Sequence, residues 1–402
     1  MRSGIPGRLS KGKTFRSLSS ISSFIQVAWG INPNGLIIEY SKLFSHLEKH
    51  HGLLYTLKTL KSYHGISQRY AAGQSFDRLS FTKVINKRSL LPLRLKAFLP
   101  FLEGTINERR VALTVLSIYR LISSKNDEVD YSQIEASRNI SRDFTDLNVN
   151  SDLSYLHRKV QEDPTPMNVQ LLKSWRHCVN TMFPSSQLER RKERLQGNNL
   201  YISNKNGPNG PVLAGVPLDF KAMSSNGLIN NVYDLSIDLQ NQDLQSIIET
   251  MYQSDLVIHQ EGDPIVASRL ALKQEPGGKN RVFAIGDYFT QSALKSLHLY
   301  LFGLLRGLPE DGSHSHNYVS NICKGWSDCP DNRIYSIDLT GATNYIDCEV
   351  LGEIVQSIAG ESYAKHWVNL MVGRLFKDIE GNKRMYTVGQ PMGFYSSWAM
   401  LA

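Results

Sequence analysis

Arg333-Ile334-Tyr335-Ser336-Ile337-Asp338-Leu339-Thr340-Gly341-Ala342-Thr343-Asn344 is the stretch on which the reading of the fold turns. Ile334, Tyr335 and Ile337 form the short apolar run of a buried strand, and Asp338 stands at its end. Beyond it Ile346, Val350, Leu351, Ile354, Val355 and Ile358 recur at helical spacing, with Thr343 or Asp347 as the cap. A carboxylate at the mouth of a strand, before a turn of small residues, is well placed to hold a hard divalent cation. Such a cation takes oxygen ligands and keeps several waters, so one or two carboxylates can suffice. Taken alone, the strand equally allows an Asp that only caps a turn.

Two further constellations flank this one. Upstream lies Lys273-Gln274-Glu275-Pro276-Gly277-Gly278-Lys279-Asn280-Arg281, followed by a short strand, Val282 to Ile285. The glycine pair lets the chain turn tightly, and Lys273, Lys279 and Arg281 set three cations around the turn. Cations on such a hairpin can clamp a triphosphate, the arginine fork matching phosphate oxygens. The stretch is not a Walker A loop, because Asn280 stands where a Ser or Thr would reach Mg2+. A solvated basic hairpin is the alternative. Downstream, Gly389-Gln390-Pro391-Met392-Gly393 feeds a helix through Ser396 and Ser397. The glycines allow a loop that flexes around substrate, and the serines are expected to expose hydroxyls toward a sugar or template backbone. A serine-capped helix start is the alternative.

In this order, with these residue types, the three stretches resemble the RNA-directed RNA polymerases of mitoviruses, with narnaviruses and levivirus-like relatives behind them. Glu275-Pro-Gly-Gly-Lys-Asn-Arg-Val-Phe-Ala-Ile-Gly-Asp-Tyr288 is similar to the family's basic fingers motif, Asp338-Leu-Thr-Gly-Ala-Thr343 to palm motif A, and Gly389-Gln-Pro-Met-Gly393 with Ser396-Ser397-Trp398 to motif B. The resemblance covers about residues 265–402.

It implies an α+β right hand: fingers and a partial antiparallel palm containing the strand before Asp338, a mainly helical N-terminal half, and no thumb. It implies that Asp338 binds catalytic Mg2+ (or Mn2+) for two-metal nucleotidyl transfer. Lys273, Lys279 and Arg281 would meet the phosphates of a nucleoside triphosphate. Asn344, Gly389, Gln390, Ser396 and Ser397 would help to position template and ribose. The implied partners are an RNA template, its RNA product and nucleoside triphosphates, and the implied location is the host mitochondrion, with the cytoplasm as alternative. Phosphoryl transfer suits such a residue set, since it needs charge neutralisation and in-line positioning more than an acid–base residue.

Two departures stand out. The family's motif A has a second Asp six positions after the first, and this chain has Asn344 there. An amide still hydrogen-bonds a hydroxyl but carries no charge. The family's Gly-Asp-Asp turn, which supplies the remaining metal carboxylates, does not occur in these residues. The expectation is a polymerase fragment ending just after motif B and inactive alone. The alternative is a non-catalytic RNA-binding remnant of an integrated viral gene. A metal-dependent phosphodiesterase using Asp338 and Asp347 is disfavoured for want of neighbouring carboxylates or histidines.

Working outward, the 402 residues carry 45 Lys+Arg against 37 Asp+Glu, a net +8 that favours anionic partners. Four cysteines are too few for a disulfide scaffold. The longest apolar stretch, around Leu299–Leu308, is broken by Arg306 and is shorter than the roughly 20 residues of a membrane span, so no membrane partner is expected. No acidic residue precedes Glu39, whereas Arg2, Arg8, Lys11, Lys13, Arg16 and several serines do. That arm, residues 1–38, resembles an organelle transit peptide, with a flexible basic arm as the other reading. Residues 39–184 read as helical, from Leu43, Leu47, Leu53, Leu54, Leu57 and Leu60, then Val111 to Leu121, then Val169 to Met182. Residues 185–215, with Arg190–Arg194 and a run rich in Asn, Gly and Pro, read as a mobile basic loop or linker before the polymerase-like segment 216–402. Trp175, Trp326, Trp367 and Trp398 are expected in the core, and the spacing of His314, His316, Cys323 and Cys329 fits no common zinc pattern.

Overall fold

A computed structural model of the chain describes residues 11–74, 91–122, 129, 131–132, 134–135, 166–254, 264–275, 279–309, 311–327, 339 and 341–402. The chain divides into two compact units, residues 1–129 with 273–281, and residues 130–272 with 282–402.

The first unit is helical. α1 (Lys11–Trp29) leads to α2 (Asn34–Ala71), whose Leu43, Leu47, Leu57 and Leu60 are buried as their spacing predicts. Gly52, at φ 78° and ψ 168°, interrupts α2, so that two helical stretches meet there. α3 (Leu99–Glu103) precedes α4 (Ile106–Leu116), which starts with a capping box. The Thr105 hydroxyl accepts from the Glu108 N–H, and the Thr105 N–H donates to the Glu108 carboxylate at 2.7 Å. Val111, Ala112, Val115 and Leu116 of α4 join Leu47, Leu57 and Leu60 in one core. Each Val or Leu side chain so buried contributes about 1.5–3 kcal/mol. The arm expected over residues 1–38 contains α1 and the first turn of α2.

The second unit is α+β. α5 (Pro166–Met182) stops before Pro184, and α6 (Leu188–Leu195) carries the Arg190–Arg194 run. The stretch 185–215, expected as a mobile basic loop or linker, contains this helix and the small hairpin that follows it. Arg191 is 5% exposed, and its Nη2 donates to the carbonyls of Ser357 at 2.7 Å and Pro184 at 2.9 Å. The basic run Arg190–Arg194 therefore contains a buried cation that ties down backbone acceptors. A small hairpin, β1 (Asn206–Gly207) and β2 (Gly210–Pro211), follows. Then come α7 (Val216–Ser225), α8 (Leu228–Asp238) and α9 (Gln242–Gln253).

β3 (Ser268–Glu275) and β4 (Lys279–Gly286) lead into α10 (Tyr288–Arg306) and α11 (His316–Ser327). The remainder comprises α12 (Ala342–Tyr345), α13 (Cys348–Ala359), α14 (Glu361–Val372), β5 (Phe376–Lys377), β6 (Lys383–Arg384) and α15 (Ser397–Leu401). The four-stranded sheet has the order β4-β3-β5-β6. β3 runs parallel to β5 through Arg269↔Lys377, and β5 runs antiparallel to β6, so this sheet is mixed. The strand expected at Ile334–Ile337 lies outside the described residues.

Trp367 of α14 is fully buried, as expected, and Trp175 is half-buried. Trp326 and Trp398 are 53% and 52% exposed, contrary to expectation. Trp398 packs its ring on Phe302, with centroids 5.3 Å apart, and remains half open to solvent. Among the described residues no helix is long and apolar enough to cross a membrane.

Candidate active site

The Gly389–Gly393 loop lies against two other segments of the second unit. A Cβ at Gly389 would overlap the Thr343 carbonyl oxygen and come 2.5 Å from the Asn344 carbonyl carbon, so only glycine fits. The next residue fixes the approach, since the Gln390 N–H donates to Thr343 O at 2.9 Å. On the other side the Ala284 N–H of β4 donates to Met392 O at 2.6 Å. Gly393 has φ 117°, and a Cβ there would strike Ala284 O. The loop thus joins the segment after Asp338 to the strand after the basic turn, and backbone contacts do the joining.

Ser396 and Ser397 depart from their expected exposure, at 0% and 2%. Ser396 adopts a left-handed backbone (φ 67°, ψ −27°), uncommon for a residue with a side chain. Two bonds hold it: Trp367 Nε1 donates to Ser396 Oγ at 2.9 Å, and the Ser396 N–H donates to His298 Nδ1 at 3.2 Å. Accepting at Nδ1 places the proton of neutral His298 on Nε2, and burial lowers the ring's pKa in keeping with that state. Gln390, fully buried, donates from Nε2 to Ser397 O at 3.0 Å. Gln390 Oε1 and Ser397 Oγ are buried without a protein partner among the described residues. In this conformation the serines shape the loop; their hydroxyls do not line its surface.

Beneath the loop is a buried charge network that sequence reading missed. Arg374, between α14 and β5, donates from Nη1 to Asp287 Oδ2 at 2.7 Å and to Ser268 Oγ at 3.1 Å. Its Nη2 donates to Thr290 Oγ1 at 2.6 Å, and its Cζ lies 5.2 Å from the centre of the Phe394 ring. Asp287 also caps α10 by accepting from the Thr290 N–H at 2.7 Å. Gln291, one turn into α10, donates to Gly393 O at 3.1 Å and accepts from the Tyr395 N–H at 2.9 Å. Nearby Asp219 accepts from the Tyr288 N–H at 2.9 Å and from Asn209 Nδ2 at 2.7 Å. Burial, and then the charge of Asp287, push its carboxyl up to about 7. The only sequence sign of this network was the Asp287 beginning an apolar helical pattern, which is the signature of a cap.

The basic residues of the turn belong to the first unit. Lys273 is exposed near the end of β3, and Lys279 opens β4. Arg281 forms an ion pair with Glu275, Nε to Oε1 at 3.0 Å. Asn344 lies in α12. Asp347 is the cap of α13, accepting from the Glu349 N–H at 3.0 Å, which settles the choice between Thr343 and Asp347. Asp338 lies outside the described residues. Among those described, no group of three or more His, Cys, Asp or Glu side chains is placed to hold a metal ion.

In this α+β unit the Gly389–Gly393 loop is fitted to the Thr343–Asn344 backbone, so two of the three stretches singled out in the sequence lie against each other. Comparison with known proteins specifies the family: the profile described as Mitovirus RNA-dependent RNA polymerase matches residues 194–402, and the chain belongs to that family. The chain is similar to the RNA-directed RNA polymerase of Cryphonectria parasitica mitovirus 1 (strain American chestnut tree/New Jersey/NB631), with 34% identity over 137 residues. That match covers 34% of this chain and 17% of the relative. No solved structure matches the chain.

Proposed function

We propose that this chain carries the nucleotide- and template-binding part of an RNA-directed RNA polymerase that copies a viral RNA genome in the host mitochondrion. The observation that carries this reading is the fit of Gly389 onto the Thr343–Asn344 backbone. It brings the motif-B-like loop against the end of the motif-A-like segment, as a shared site for template and incoming nucleotide requires.

In this reading Arg281, Lys279 and Lys273 neutralise the triphosphate, where an arginine fork and lysine point charges lower the cost of gathering phosphate oxygens. Asn344 offers an amide to the ribose, whose 2′-hydroxyl distinguishes RNA precursors from DNA precursors. Gly389 and Gln390 set the loop that supports the template. Ser396 and Ser397 act through that loop, and a small shift of it would let Gln390 Oε1 and Ser397 Oγ, buried and without a partner among the described residues, turn toward a ligand. Asp338 offers a hard carboxylate, which fits Mg2+ that keeps most of its waters. When bound, that ion supplies charge stabilisation at the reacting phosphate. A two-metal centre needs more carboxylates than Asp338, and these 402 residues hold no Gly-Asp-Asp. We therefore propose that they bind RNA and nucleotide but do not polymerise.

The test is a template-directed incorporation assay with Mg2+, run beside RNA and ATP binding to the same chain. Binding of both without incorporation is expected. Incorporation that disappears in Asp338→Ala would overturn the inactivity and uphold the polymerase reading. Binding of neither RNA nor ATP would overturn the polymerase reading itself.

A further inference from the structure

Arg281 is expected to receive phosphate, yet its guanidinium already has an anionic partner. Its Nε lies 3.0 Å from Glu275 Oε1 and its Nη2 3.3 Å from Glu275 Oε2. This is the two-point geometry with which a guanidinium holds a carboxylate or a phosphate. The side chains are 44% and 25% exposed, so water and solutes reach the pair. Both residues belong to the same unit and stand on the adjacent strands β3 and β4.

We propose that Glu275 is a built-in surrogate for phosphate. It occupies the Arg281 fork until a nucleoside triphosphate displaces it, and it reclaims the fork when the phosphate leaves. The inference rests on Arg281 as a phosphate-binding residue and adds a residue that sets the affinity. A triphosphate carries several negative charges against one on Glu275, so it wins the fork. The displaced carboxylate stays tethered beside the incoming anion and repels it. Glu275 thus weakens capture of the triphosphate and hastens its release. The competing role is a brace, in which Glu275 holds Arg281 in a binding-ready pose; the two roles predict opposite signs.

The experiment is equilibrium dialysis of radiolabelled ATP with Mg2+ against the whole 402-residue chain. The variants are Glu275→Gln, Glu275→Ala, Arg281→Ala and the double variant Glu275→Gln/Arg281→Ala. Both Glu275 variants are expected to bind ATP about three- to fivefold more tightly, the range that loss of an exposed ion pair allows. Arg281→Ala should weaken binding and abolish the gain in the double variant. Inorganic tripolyphosphate should compete and gain the same factor, because the phosphates are what is recognised. Unchanged or weaker ATP binding in both Glu275 variants, with Arg281→Ala still weakening it, overturns the surrogate role and leaves Arg281's role standing. If Arg281→Ala leaves ATP binding intact, or if neither the wild-type chain nor Glu275→Gln binds ATP, the phosphate reading falls and the surrogate with it.

Discussion

At position 389 a single methyl group decides whether the loop can rest on residues 343–344. Gly389→Ala forces the Thr343–Asn344 backbone or the loop to move, and overpacking of this kind costs about 1–3 kcal/mol. Thermal unfolding should show a lowered midpoint, and a midpoint unchanged from wild type would refute the close fit. Arg374→Met leaves Asp287 buried without its cation, at a cost of about 3–5 kcal/mol. Urea unfolding of the variant should therefore shift strongly, while Arg374→Met combined with Asp287→Leu should recover part of the loss. Gly389 was legible in the sequence as a turn residue near a ligand, but the surface it touches was not. Arg374 was invisible for a clearer reason. Its partner is 87 residues away, and no local pattern distinguishes a buried arginine from a solvated one.

Among the elements, α2 offers a pH test. Burial lowers the His64 pKa to about 4, with a smaller contribution from Arg120. The folded chain holds His64 neutral while the unfolded chain protonates it near 6.5. Its share of stability is therefore complete above about pH 6.5 and is lost as the pH falls toward 4, to a limit of about 3 kcal/mol. Denaturant midpoints measured from pH 7 to pH 4 should fall more steeply in the wild-type chain than in His64→Leu; parallel slopes would exclude a neutral, buried His64. The helices themselves were the readable part of the chain, because 3.6-residue periodicity survives in α2, α4, α5 and α13. The sheet was not readable beyond the stretch from Val282 to Ile285. β5 and β6 are two residues each, too short to show any alternation.

For the whole molecule, the charge surplus of +8 and the motifs lead to one family but to different kinds of surface. The Arg190–Arg194 run reads in the sequence as part of a basic loop or linker, and within it Arg191 serves the interior of the second unit. Arg191→Ala should accordingly destabilise the unit by about 1–3 kcal/mol through the bonds lost at Ser357 O and Pro184 O, read as a lowered thermal midpoint, whereas Arg190→Ala should change its stability by no more than about 0.5 kcal/mol. Equal effects would mean that the run acts only as bulk charge. The distinction lies in tertiary structure: α6 presents one face inward, and charge composition does not reveal which arginine falls on it.

The parallel pairing of β3 with β5 also has a consequence for how the chain assembles. Arg269 and Lys377 lie 377 − 269 = 108 positions apart, and Arg374 reaches back a comparable distance to Ser268. Contacts of such sequence separation form late, because the loop-closure entropy must be met before they stabilise anything. During synthesis β3 leaves the ribosome long before its partner exists, and Asp287 emerges without the cation that neutralises it. A nascent chain stopped short of Arg374 therefore presents an open strand edge and an unpaired carboxylate, features that chaperones retain and proteases cut.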